Sequence, residues 1–370
     1  MNWRGRFSPI GETFSPLARR QARKSRRRVA ENQPKELPGI YCRHTLAERK
    51  HFKVRTYVPP WTWYVCETYI TQKEAIGIKT KNAVDILVLG GTRYIGIKLV
   101  EKLLQAGHNV TIGTRGIATD FFGDRVQRLF LDRHDDESLR LALQGKKFDI
   151  VYDNLCYGSE DVKRLLDATQ TNRYVLTSSR GVYMDFDGTF DPFTHNLEWC
   201  NFDMDDFSGV TYYEAKRQAE TAAFQVYAHI PTVSVRFPIV IGTDDDSERL
   251  QFYAEHIRHE KPMNLVNLQT KHCCINVDEA ADFLLWAGIG NFVGALDACA
   301  YGTFTIIEVV SYIEKHTGKK AIISTDGARG KCNTTPELIL CNKKATELGF
   351  AFSNVNDWLY ILLDDVCRTV

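Results

Sequence analysis

The sequence predicts an α/β fold, a doubly wound parallel sheet followed by a smaller mixed lobe. Three observations predict it. From Val84 to Phe237, short β-branched runs alternate with amphipathic stretches of helical length, the pattern of parallel strands joined by right-handed helical crossovers. The turn between the first strand and the first helix is rich in glycine, reading Ile86-Leu-Val-Leu-Gly-Gly-Thr-Arg-Tyr-Ile-Gly96. Hydrophobic residues make up 44% and charged residues 25% of 370, the profile of a globular chain with ample material for a core.

Taken in order, strands are predicted at 85–89, 109–113, 126–131, 149–153, 173–178 and 232–237. Helices are predicted at 94–106, 135–143, 160–169 and 209–227. In the first helix Ile95, Leu99, Leu103 and Leu104 fall at helical spacing, which marks one apolar face. Beyond Ile241 the alternation breaks down. Helices at 246–258, 278–288, 305–317 and 354–367, joined by short strands, predict a partly helical lobe against the carboxyl edge of the sheet.

Residues 1–83 differ from the remainder. Residues 1–60 hold 15 Lys and Arg against 4 Asp and Glu, whereas acidic residues exceed basic ones in the rest. Periodicity is weak there, so about 1–50 reads as disordered or extended; the aromatic stretch 57–75 reads as a short helix or hairpin. Four readings of this arm stay open: an organelle transit peptide, a nucleic-acid-binding arm, a family-specific extension, or an over-extended gene model. The ten cysteines form no Cys-x-x-Cys pair, which argues for free thiols in a reducing compartment and against a zinc site. Cys273 and Cys274, which follow His272, read as buried small hydrophobes beside a strand, with a redox pair as the alternative. No apolar run approaches the ~18 residues that would span a bilayer. The expected location is cytoplasmic, or an organelle stroma or matrix if the arm is a transit peptide.

The glycine turn carries the first functional signal. Gly90 permits a tight turn, Gly91 lets backbone approach a ligand, and Gly96 lets the helix pack closely on the strand. The helix N-terminus then offers free N–H groups and a positive dipole to a pyrophosphate. This loop, with Arg93 where a middle glycine would stand, resembles the atypical branch of the extended short-chain dehydrogenase/reductases, the NAD-dependent epimerase/dehydratase family. The subgroup with a Gly-Gly-Thr-Arg-(aromatic)-(aliphatic)-Gly loop includes epimerase/dehydratase-like proteins and the chloroplast stem-loop-binding proteins. The resemblance covers about Val84 to Leu362. It implies a Rossmann-type dinucleotide-binding domain over 84–240 and an interleaved substrate lobe over 241–370. It also implies that Gly90, Gly91, Thr92, Arg93, Tyr94, Ile95 and Gly96 hold the cofactor.

The second strand ends Thr111-Ile-Gly-Thr-Arg-Gly116, without the carboxylate that would grip the ribose 2′-hydroxyl of NAD. Arg115 could instead pair with a 2′-phosphate, which favours NADP(H) over NAD; the alternative is a surface arginine. By resemblance, Asp132 contacts the adenine amino group, and Pro238, in Arg236-Phe-Pro-Ile-Val-Ile-Gly242, shapes the turn beside the nicotinamide. Asp278 is expected to cap a helix.

The chemistry-bearing pattern is Tyr212-Tyr-Glu-Ala-Lys216. Four-residue spacing puts Tyr212 and Lys216 on one helix face. A phenol titrates near pH ~10, and a neighbouring ammonium favours its ionised form, so it can exchange a proton with a hydroxyl or carbonyl. Tyr213 is the alternative phenol but lacks the spacing. By resemblance, Ser179, in Arg173-Tyr-Val-Leu-Thr-Ser-Ser-Arg-Gly-Val-Tyr183, hydrogen-bonds the reacting oxygen. Sugar dehydratases carry an Asp-Glu pair directly after that residue; Arg180 and Gly181 stand there, which argues against water removal. The expected activity is NAD(P)-dependent oxidation-reduction or epimerisation of a sugar nucleotide or similar small molecule, with a homodimer as a family expectation. Two other readings stay open: an RNA-binding protein of the stem-loop-binding type, and a non-catalytic cofactor-binding subunit.

Overall fold

The computed structural model describes residues 83–185, 190–203, 209–245, 247–334 and 337–370. The basic extension expected over 1–83 lies outside the described residues except for Ala83. Seven parallel strands form the central sheet: β1 (Asp85–Leu89), β2 (Asn109–Thr114), β3 (Gln127–Phe130), β4 (Ile150–Asp153), β5 (Tyr174–Ser179), β6 (Thr232–Phe237) and β7 (Gly294–Asp297). Their order is β7-β6-β5-β4-β1-β2-β3. Every neighbouring pair is parallel. The helices are α1 (Tyr94–Gln105), α2 (Asp136–Leu143), α3 (Ser159–Ala168), α4 (Tyr212–Gln225), α5 (Gln251–Arg258), α6 (Val277–Ile289), α7 (Ile306–Thr317), α8 (Lys343–Glu347) and α9 (Val355–Thr369). This is the Rossmann-type α/β fold that the alternation predicts.

The period of two along β1 sorts its side chains between two cores. Ile86 and Val88 join Leu99 and Leu103 of α1 and Phe283 and Leu284 of α6. Leu87 and Leu89 join Leu139 of α2, Leu165 of α3 and Ala219 and Ala222 of α4. All four β1 residues are fully buried, and a strand covered on both faces reads as an unbroken apolar run. Each such side chain contributes roughly 1.5–3 kcal/mol by leaving water. The strand order reverses between β1 and β4, so a crevice opens outside the carboxyl ends of these strands. Gly90, Arg115, Asn154 and Arg180 follow directly on the ends of β1, β2, β4 and β5.

Beyond residue 240 the chain divides its contribution. Tyr253 and Ile257 of α5, Val309 and Ile313 of α7, and Leu359 and Leu363 of α9 form an apolar core of their own. α6 instead packs on α1 over the sheet, and β7 extends the sheet beside β6. Sequence reading missed β7 because Gly294-Ala-Leu-Asp297 is short and has no β-branched residue.

Caps explain the helix starts. Thr211 accepts from the Glu214 N–H, so α4 begins at Tyr212 rather than Gly209. α6 is capped by Asn276, which accepts from the Asp278 N–H at 2.8 Å. The cap is therefore not Asp278, whose carboxylate lies 3.7 Å from Lys98 Nζ. Among the described residues no helix is long and apolar enough to cross a membrane.

Candidate active site

The turn after β1 is built for close approach. Gly90 has φ +77°, a conformation that glycine adopts without strain. At Gly96 an added Cβ would fall 1.8 Å from the Gly90 carbonyl oxygen, so only glycine fits where α1 leaves the turn. Arg93 precedes α1 in extended conformation (φ −143°) and makes no side-chain cap; no middle glycine is needed. The left-handed backbone falls instead on Tyr94 (φ +44°), at a cost of about 1–3 kcal/mol. Its hydroxyl donates to the Val240 carbonyl at 3.0 Å, which ties the helix start to the segment after Pro238. The first turn of α1, without a capping side chain, thus presents N–H groups and the positive dipole end to the crevice.

Sequence reading did not single out Asn154. Its Oδ1 accepts from Thr177 Oγ1 at 2.7 Å, while Nδ2 is buried without a hydrogen-bond partner. Its Cβ lies 3.2 Å from the place a Gly90 Cβ would occupy, so this amide borders the glycine turn. Only pairing of the β1 and β4 ends could reveal it. Arg115 is exposed and makes no ion pair or side-chain hydrogen bond among the described residues. Asp132 is half-buried and accepts from the His134 N–H at 3.0 Å. An uncapped helix start, a cradle that any Cβ would fill, and an orphaned amide together fit a dinucleotide.

At the end of β5, Ser179 Oγ accepts from the Gly181 N–H at 3.0 Å. Tyr212 opens α4, and Lys216 follows one turn later, 4% exposed. Its Nζ donates to the Cys156 carbonyl at 2.5 Å and to the Thr177 carbonyl at 3.1 Å. It stands 5.8 Å from the Tyr212 ring centre and 4.8 Å from that of Tyr157. The position a Gly181 Cβ would take is 3.2 Å from Tyr212 Cε1, 3.3 Å from Ser179 Oγ and 2.9 Å from Tyr213 Cδ1. Ser179 and Tyr212 therefore border one point, and Tyr213 flanks them. Phe202 packs on Tyr212 with ring centres 5.5 Å apart, and Tyr157 lies 6.4 Å away. Burial pushes the Tyr157 phenol up against the pull of Lys216.

Buried ion pairs hold these strand ends. Glu220, the next turn of α4, binds Arg236 of β6 at 2.5 Å and accepts from Ser178 Oγ at 2.6 Å. Arg236 also donates to the Tyr183 hydroxyl at 2.6 Å, which donates to Asp297 at 2.9 Å. Burial raises the Asp297 carboxyl above the usual range, against the Arg236 charge. On the other side, Arg133 binds Asp153 at 2.6 Å; burial opposes its cation, but Asp153 and Asp161 more than offset this. A shallow depression lined by Asp85, Asn109 and Lys147 lies at the opposite, amino ends of the strands, away from this chemistry. Among the described residues no group of three or more His, Cys, Asp or Glu side chains is placed to hold a metal.

Comparison with known proteins adds the family. The model of the NAD dependent epimerase/dehydratase family matches residues 86–288, more than half of the chain. The chain belongs to this family. Among curated relatives, it is 33% identical over 129 residues to the chloroplast stem-loop binding protein of 41 kDa b of Arabidopsis thaliana, covering 31% of this chain and 34% of that one. It is 28% identical over 95 residues to 2'-dehydrokanamycin reductase of Streptomyces kanamyceticus, covering 25% and 27%. The chain thus aligns with about a third or less of the length of these curated relatives. Among solved structures, the UDP-glucose 4-epimerase of Thermus thermophilus in complex with NAD superposes with a TM-score of 0.58 at 18% identity, covering 77% of this chain and 99% of that one. At that identity the likeness concerns the fold.

Proposed function

We propose that this epimerase/dehydratase-family protein is an NAD(P)-dependent oxidoreductase or epimerase. Its substrate is a hydroxyl or carbonyl of a sugar nucleotide or similar small molecule, and Tyr212 is the phenol that moves the proton. The observation that carries this reading is the convergence of Ser179 Oγ and the Tyr212 ring on one point beside Gly181, with Lys216 one turn along α4. The backbone from Gly90 to Gly96 would receive the cofactor's pyrophosphate, and the Asn154 amide adds a free donor beside it. Asp132 would take the adenine, Pro238 would border the nicotinamide, and Arg115 would meet a 2′-phosphate, favouring NADP(H). When bound, the nicotinamide supplies the hydride acceptor or donor.

The chain's own groups then divide the work. Ser179 Oγ already accepts from the Gly181 N–H, which leaves its O–H to donate to a substrate oxygen. Tyr212 exchanges a proton with that oxygen. The Lys216 ammonium, anchored on two carbonyls, stabilises charge that develops on the phenol. With Arg180 and Gly181 after Ser179, no carboxylic acid stands there to expel water.

Two measurements test this. Tyr212→Phe should lower kcat by roughly 10²–10⁴, with NADPH affinity unchanged, assayed for UDP-glucose epimerisation and NADPH-dependent carbonyl reduction; retained full activity removes the assignment. Mass spectrometry of nucleotides released from the purified protein separates the subclasses. Retained NAD favours an epimerase, and NADP(H) a reductase. The partial likeness to the stem-loop binding protein favours a second reading, RNA binding through the basic arm; an empty nucleotide site with co-purifying RNA would replace the enzymatic reading with it.

A further inference from the structure

Four arginines among the described residues are buried: Arg133 (6% exposed), Arg180 (6%), Arg217 (4%) and Arg236 (5%). Three have a carboxylate partner. Arg133 meets Asp153 at 2.6 Å, Arg217 meets Glu214 at 2.6 Å, and Arg236 meets Glu220 at 2.5 Å. Arg180 has none among the described residues. Its Nη1 donates to a neutral acceptor, the Leu338 carbonyl, at 3.1 Å. A buried guanidinium without a counter-charge costs several kcal/mol, and this one directly follows Ser179.

Its surroundings hold a buried nitrogen without a partner. The Leu338 carbonyl that receives Arg180 also receives Cys273 Sγ at 3.3 Å, which brings the guanidinium beside the His272–Cys273 segment. His272 is 1% exposed, and its Nδ1 has no hydrogen-bond partner. Burial first, and the Arg180 cation second, lower its pKa to about 4. The imidazole is therefore neutral at physiological pH, and a neutral imidazole can present N–H at Nδ1. Glu337, the acid that faces His272 from the lobe, is exposed, and its Oε2 accepts from the Lys271 N–H.

We propose that Arg180, with His272 Nδ1, forms an oxyanion subsite that takes a phosphate or carboxylate of the substrate beside the oxygen on which Ser179 and Tyr212 act. The missing counter-charge comes from the ligand. A bidentate guanidinium suits either group. The inference rests on the proposed function for the location of the reacting oxygen, while binding of the anion needs no turnover.

The test is calorimetric titration of the full chain saturated with NAD or NADP, whichever it binds, so that the cofactor cradle is filled. The probes are UDP and inorganic pyrophosphate, glucuronate, and neutral methyl glucoside as control. The wild type should bind at least one anionic class ten-fold or more tightly than methyl glucoside, and the UDP and glucuronate arms tell phosphate from carboxylate. Arg180→Gln should weaken that class at least ten-fold with affinity for the same cofactor unchanged, and Arg180→Lys should restore part of it. Equal binding of the anions by Arg180→Gln, or no preference of the wild type for anions over the glucoside, overturns the inference. If Arg180→Gln does not fold, the wild type decides: its Tm should rise with the preferred anion and not with methyl glucoside, and no rise overturns the proposal. Failure of the wild type to bind either NAD or NADP would instead strike the proposed function itself.

Discussion

The two sides of Ser179 handle buried charge in opposite ways. Toward α4 and β6, Glu220 and Arg236 neutralise each other, and Ser178 and Tyr183 add hydrogen bonds to the pair. Toward the lobe, Arg180 is as deeply buried but meets a carbonyl, next to a histidine with an orphaned nitrogen. The first arrangement closes within the fold and holds the strand ends in register. The second has no carboxylate partner among the described residues, and under the proposal above the ligand supplies that charge. Burial of a cation alone thus says little; the identity of its partner separates architecture from recognition.

The sharpest way to break this comparison is to unpair the closed side. Glu220→Gln keeps the shape and leaves Arg236 uncompensated, so it should destabilise the fold by about 3–5 kcal/mol, measured by urea unfolding. A loss below about 1 kcal/mol would mean that the closed network is not structural.

A smaller effect sharpens the open side. His272 has a folded-state pKa near 4, against about 6.5 unfolded. Between these values the unfolded chain binds the proton first. Its contribution to stability is therefore full above about pH 6.5, declines as pH falls, and is gone below about 4, up to roughly 3 kcal/mol in all. His272→Gln should flatten that stretch of the stability–pH curve; an unchanged slope would place the titration elsewhere.

The smallest effect concerns a second arginine without a carboxylate partner among the described residues. Arg115 is exposed, where hydration makes an unpaired cation cheap. Arg115→Ala should leave Tm unchanged yet weaken NADPH about ten-fold more than NADH, about 1.4 kcal/mol. Equal losses for the two cofactors would remove the 2′-phosphate role.

Much of this was legible in one dimension. Period-two burial wrote β1 as Ile-Leu-Val-Leu, Gly90 and Gly96 marked backbone positions that a Cβ would obstruct, and Tyr212 and Lys216 share a helix face by spacing. What escaped was whatever depends on strands meeting. Asn154 matters because the β4 end lies beside the β1 end, and β7 is a strand because β6 offers it an edge.

The amino-acid order by itself determined the α/β class, the glycine turn and the Tyr212–Lys216 face, because these follow from local sterics and periodicity along one segment. Only tertiary structure decided that Ser179 and Tyr212 border one point, that Glu220 satisfies Arg236, and that Arg180 is buried without a carboxylate partner among the described residues. Those are contacts between residues distant in sequence, and whether a charge is paired is a property of the space around it.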